Sequence, residues 1–128
     1  DQPGGFNMTA MTRFVPTRNY LGGGSLGYIE CSYAQLVKAF GKPNGEADDY
    51  KTSTEWHILD TGTNAKLAIY DYKETELYSR SLPSVKAFRA KRINRWHVGG
   101  MKADIELLAQ FISEASGKNV NVPPFRGF

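Results

Sequence analysis

Two short segments, TEWHIL at 54–59 and NRWHVGG at 94–100, carry both tryptophans and both histidines of the chain. Each reads Trp-His followed by a β-branched residue. Side chains alternate across a strand, so this pattern fixes which residues share a face. Trp56 and Ile58 fall together, as do Trp96 and Val98, while His57, Arg95 and His97 fall on the opposite side. If both indoles face a helix layer, each buries on the order of 200 Å² and anchors a core. The other face then carries His57, Arg95 and His97, joined by either Leu67, Ile69 and Asp71 or Ala68, Tyr70 and Tyr72, depending on strand register.

The rest of the chain supplies the second layer. SYAQLVKAFGKP has Ser32 and Gln35 in a capping-box spacing, and Tyr33, Leu36, Val37 and Phe40 on one helical face. Gly41 is expected as a left-handed cap, and Pro43 blocks continuation. GGMKADIELLAQFISEASGK reads as a second helix. Its core stripe is Ile105, Leu108, Ile112 and Ala115, flanked by Leu107 and Phe111, and Gly117 stops it. Tyr28–Cys31 reads as a short strand, and AKLAIYDY pairs with TEWHIL through DTGTN as a hairpin. Residues 73–92, interrupted by Pro83, have no clean period and read as a long excursion with room for one edge strand. The order predicts an α+β fold, a small antiparallel sheet with two helices packed on one face. The expected organisation is a flexible arm over 1–27, a ligand-binding domain over 28–117 and an extended tail over 118–128. The first ten residues are expected to be poorly ordered.

At 128 residues the chain suits one domain with a real core. It holds no apolar run near the roughly 20 residues of a membrane span, so no membrane role is expected. Neither a secretory signal nor a disulfide is expected: Cys31 is the sole cysteine, in an apolar strand, where a buried structural thiol is the simpler reading. Together these features predict a cytoplasmic protein.

Charge is unevenly distributed. KAFRAKRINR at 86–95 holds Lys86, Arg89, Lys91, Arg92 and Arg95 and no acid. These five positives exceed the whole net charge of +3, leaving the rest of the chain at net −2. A focused basic segment attracts nucleotide, nucleic acid or an acidic protein; the competing explanation is a solvated surface stretch. The segment leads into Gly99-Gly100 and the second helix. Two glycines permit a sharp turn and a close ligand approach, and a helix start favours anions. Arg92, Arg95, His97, Gly99, Gly100 and Lys102, with Tyr70 and Tyr72 for stacking, are therefore the candidate ligand-binding residues. The competing explanation is a plain strand-to-helix corner, with Asp104 filling the helix end itself. No catalytic residues are expected, because none of the familiar nucleophile, phosphate-loop or zinc-protease motifs occurs. No metal site is expected from two His and one Cys, and no cofactor. Aromatics at Phe6, Phe14, Tyr20, Phe125 and Phe128 point to a homo-oligomer that covers them.

The ordered set GYIECSYAQLVKAFGKPNGEADDYKTSTEWHI, LAIYDYK and RWHVGG resembles a family of small bacteriophage proteins. In that family a strand, an L-x-x-x-F-G-x-P helix, an E-W strand, an IY-x-YK strand and a closing WH-[IV]-GG follow one another. The resemblance spans roughly residues 27 to 112. The group is in turn similar to phage anti-Thoeris sponge proteins, which sequester cyclic ADP-ribose immune signals. That resemblance implies an anti-defence protein acting in the infected bacterial cell, binding a small phosphorylated nucleotide without cleaving it and assembling as an oligomer. The alternative is an inhibitor that binds a host defence protein or nucleic acid through residues 86–95. The long N-terminal arm and the basic segment depart from the family pattern.

Overall fold

The computed structural model describes residues 13–20 and 22–124. These form five strands, β1 (Phe14–Pro16), β2 (Gly24–Cys31), β3 (Glu55–Asp60), β4 (Ala65–Tyr70) and β5 (Asn94–Gly100). They also form three helices, α1 (Tyr33–Phe40), α2 (Val85–Arg89) and α3 (Ile105–Ser116). The strands make one antiparallel sheet in the order β1-β3-β4-β5-β2. The expected α+β layer, an antiparallel sheet with helices on one face, is what the chain forms.

The two tryptophans occupy the helix-facing side. Trp56 and Trp96 are fully buried and meet edge to face, with centroids 5.5 Å apart. Trp56 Nε1 donates to the Gly41 carbonyl at 2.8 Å, and Trp96 Nε1 donates to the Cys31 carbonyl at 3.0 Å. Both indoles thus satisfy their one polar group while lending their area to the core. Cys31 is buried among them, and burial pushes its thiol up to about 12.

α1 forms as its sequence signals require, with both arms of the Ser32–Gln35 capping box present. Gly41 has φ +83° but an extended ψ, so it turns the chain without a left-handed cap. Gln35 is buried and its amide bridges to Ser116 Oγ at 3.1 Å and the Lys118 carbonyl at 3.0 Å, tying α1 to the end of α3. α3 begins at Ile105, where the Asp104 side chain accepts the Leu107 N–H, and ends at a left-handed Gly117. Its buried stripe is Leu108, Ala109, Ile112 and Ser116; Ala115 is exposed. Ser116 takes a core position in place of Ala115, and its hydroxyl is satisfied there by donating to the Ile112 carbonyl at 2.7 Å.

Other expectations are corrected. The segment before Tyr28 contributes β1 and the first four residues of β2, so the sheet extends well into the stretch read as an arm. Phe14 is buried against Phe111, and Tyr20 lies on His57. These two aromatics are covered by their own fold and no longer call for a partner subunit; Phe6, Phe125 and Phe128 lie outside the described residues, as do the first ten. The excursion over 73–92 contains no edge strand but the short helix α2, capped by Ser84, which sends Phe88 onto Trp96 at 5.4 Å. Val120 is buried and Asn121 bridges to Glu30, so this part of the tail is pinned to β2.

β1 and β2 lie at opposite edges, about 19 Å apart across four strand spacings. The chain joining them must therefore cross the sheet, and Tyr20 shows that it crosses the face without helices.

Candidate functional site

Register sets the composition of that open face. Glu55 aligns with Tyr70, Tyr70 with His97, and His97 with Tyr28. A parallel row runs His57, Ala68, Gly99, Ser25. The second row has small residues at its centre, and Tyr20 fills the space. Its ring lies 4.7 Å from His57, and its hydroxyl would stand 3.5 Å from a Cβ placed on Gly99. Asn44 clamps the same strand, accepting the His57 N–H at 2.8 Å and donating to the His57 carbonyl at 3.2 Å.

The first row is left more open, and His97 is its centre. Tyr70 stacks on the imidazole at 5.3 Å and 15°. Tyr28 and Tyr72 meet it edge-on at 4.9 Å and 5.6 Å. Ser25 Oγ is 3.1 Å from His97 Nδ1. Burial, and then the nearby Arg95 charge, hold the His97 imidazole below its usual pKa. Burial raises the Tyr70 phenol, and it takes Tyr20 up to about 12, with Tyr70 and Glu55 adding to the effect. All three rings are therefore neutral near pH 7. Arg95 closes one side of the cluster, over the Tyr28 ring at 5.2 Å and paired with Glu30 at 3.3 Å. On the far side, Glu55 and His57 share a 2.6 Å contact.

Of the candidate residues, Arg95, His97, Gly99, Tyr70 and Tyr72 come together on this face. Gly100, Lys102 and Arg92 do not join them. Gly99 and Gly100 are not a corner before a helix: both belong to β5 and pair with β2 and β4. Gly100 has φ +144°, and a Cβ there would sit 2.8 Å from the Lys66 carbonyl oxygen. The close approach that requires this glycine is made by neighbouring backbone. The helix starts five residues later, with Asp104 occupying its end, so no anion corner forms there. Arg92 and Lys102 stand beyond opposite ends of β5 and are exposed.

The basic segment is likewise divided. Arg89 donates to Thr54 Oγ1 at 3.1 Å and covers the Tyr33 ring at 4.8 Å, and Arg95 is paired with Glu30. Lys86, Lys91 and Arg92 are exposed.

Tyr28, Ser25, Tyr20 and Glu55 belong to the cluster but were not among the candidates. Tyr28 and Glu30 alternating with Ile29 and Cys31 carried the signal for the first of these. The others depend on strand pairing. A groove of about 670 Å³ lies between α3 and residues 119–122, and one of about 450 Å³ lies beside Arg13 and Lys102; neither includes Tyr70 or His97. The open face presents the Tyr70, Tyr28 and Tyr72 rings around His97, an arrangement suited to stacking flat rings. Among the described residues no group of three or more His, Cys, Asp or Glu side chains could hold a metal, and no helix is long and apolar enough to cross a membrane. No protein-family model matches the sequence, and neither does any curated protein.

Proposed function

We propose that the protein binds a small phosphorylated nucleotide on the open sheet face and holds it without cleaving it. This is the role of a sponge for a cyclic ADP-ribose-type immune signal, in phage anti-defence. The observation that carries the reading is the His97 ring framed by Tyr70, Tyr28 and Tyr72 with Arg95 at its edge. Neutral aromatic rings offer stacking surface for a base, and each stacked base is worth roughly 1–3 kcal/mol. Arg95 supplies a two-pronged donor for phosphate, at present engaged with Glu30. Tyr72 is 38% exposed and gives the incoming ring a place to lie.

The test is calorimetric titration with cyclic ADP-ribose isomers, with mass spectrometry of the extract after denaturation. The ligand should be recovered intact, and Arg95→Ala should weaken binding by about one to two orders of magnitude. Conversion of ligand over many turnovers, or full affinity in Arg95→Ala, would refute the reading.

A second reading is inhibition of a host protein or nucleic acid through residues 86–95. It is favoured by the three exposed cations Lys86, Lys91 and Arg92 beside Ile93, which is 58% exposed. Binding of that kind to nucleic acid falls steeply with salt as counterions are released.

A further inference from the structure

The aromatic cluster does not end at Tyr72. Lys73 follows it, with its Nζ 5.1 Å from the Tyr72 ring centroid and 5.0 Å from that of Tyr78. Tyr78 in turn meets Tyr50 at 5.3 Å. Tyr50, Tyr72 and Tyr78 are 53%, 38% and 36% exposed, and Leu77 beside them is 39% exposed. This is a strip of three accessible rings with one cation held between two of them. Its backbone supports are specific. Lys73 takes φ +60°, an uncommon conformation for a lysine, and its N–H donates to the Lys51 carbonyl at 2.6 Å. The Asp48 carboxylate accepts the N–H groups of Tyr50, Lys51 and Thr52, shaping the turn that presents Tyr50. Buried Thr75 accepts the Tyr78 N–H at 2.9 Å.

We propose that this strip binds single-stranded nucleic acid, with unpaired bases stacking on Tyr72, Tyr78 and Tyr50 and a backbone phosphate on Lys73. The chemistry is that of a stacking platform, in which every base offers a π-face and a cation tracks the backbone. A duplex hides its base faces and cannot use exposed tyrosines in this way. The site goes beyond the small-nucleotide reading. It uses different residues, apart from Tyr72, and it stands whether or not a cyclic signal binds around His97. Glu74 and Glu76 lie close in sequence to Lys73, so attraction here comes from stacking more than from a broad positive field.

Fluorescence anisotropy with a labelled 12-nucleotide oligo(dT), titrated at several salt concentrations on the full chain, tests this. The single strand should bind and a duplex of equal length should bind far more weakly. Tyr50→Ala and Tyr78→Ala should each weaken binding roughly tenfold with unchanged thermal melts, since both rings are exposed. Lys73→Asn removes the charge while tolerating the positive φ, and should reduce the log–log salt slope by about 0.7, the share of one phosphate. Unchanged affinity in the tyrosine variants would overturn the proposal. So would equal binding of duplex, or binding lost on Lys91→Ala with Arg92→Ala but kept in the strip variants. Cyclic ADP-ribose titrated into Tyr78→Ala separates the two sites: retained binding there leaves the small-nucleotide reading standing even if the strip fails.

Discussion

Replacing Trp96 by Phe tests whether the two neighbours Arg95 and Trp96 serve separate purposes. Trp96 is fully buried, with Trp56 and Phe88 packed edge-on at 5.5 Å and 5.4 Å. Phe retains most of the ring but removes about 40 Å² of buried area, worth about 1 kcal/mol. It also removes the Nε1–H donor, leaving the Cys31 carbonyl without that partner where water does not reach, which costs about 1–2 kcal/mol. The imperfectly filled space adds a further cavity cost, so the sum is about 2–4 kcal/mol. For a domain of this size that corresponds to a fall in melting temperature of roughly 10 °C. Alanine would cost about 3–5 kcal/mol, a large part of the whole stability of a typical domain, so Phe is the safer probe. Arg95→Ala, one residue away, loses an exposed ion pair at 3.3 Å and should change stability by no more than about 0.5 kcal/mol. Both variants are melted by circular dichroism at one protein concentration, without ligand. A Trp96→Phe melt within about 2 °C of the parent, or an equal loss in Arg95→Ala, would refute the division of the strand into a core face and an open face.

Gly100→Ala should destabilise the ligand-free protein by roughly 1–3 kcal/mol, because a Cβ at φ +144° meets the Lys66 carbonyl; a urea midpoint equal to the parent's would show that the contact relaxes freely. Burial works against the Asp60 carboxylate, but hydrogen bonds from Arg13, the Gly62 N–H and Thr63 outweigh it and hold its pKa below the usual value. Its contribution is therefore full above about pH 4 and lost as pH falls below that, and Asp60→Asn should flatten this part of the stability–pH curve. His97, held below its usual pKa by burial and Arg95, should contribute stability that is present above about pH 6.5 and lost on acidification through that value. A His97→Gln variant that still shows the same loss between pH 7 and 5 would assign it elsewhere.

Local chemistry determined several parts of this protein from the sequence alone. The capping box at Ser32, the helical stripe of Leu36 and Phe40, the stop at Gly117 and the period-two alternation around each tryptophan are short-range constraints. They operate whatever the rest of the chain does, and each appears in the structure. The split between Trp96 and its neighbours Arg95 and His97 was legible for the same reason.

What the tertiary structure decided is which strands meet, and in what register. The sequence left Tyr70 and Asp71 as alternatives for the open face. Pairing of Tyr70 with His97 selects Tyr70, and it turns Asp71 inward to accept the Ser53 and Thr54 N–H groups. Gly99 and Gly100 look like a corner in sequence because glycine permits turning. In the fold they are strand residues, and the Tyr70 ring beside Gly99 and the Lys66 carbonyl beside Gly100 take the space that side chains would need. The basic run at 86–95 looks like one patch, yet packing diverts Arg89 to Tyr33 and pairs Arg95 with Glu30. Tyr50, Tyr72 and Tyr78 carry no common signal along the chain; they meet because the ends of β3 and β4 bring their flanking loops together. Periodicity reports what one segment does with its own neighbours. Contacts between segments depend on the free energy of the assembled core, and that quantity is not written in any single stretch of residues.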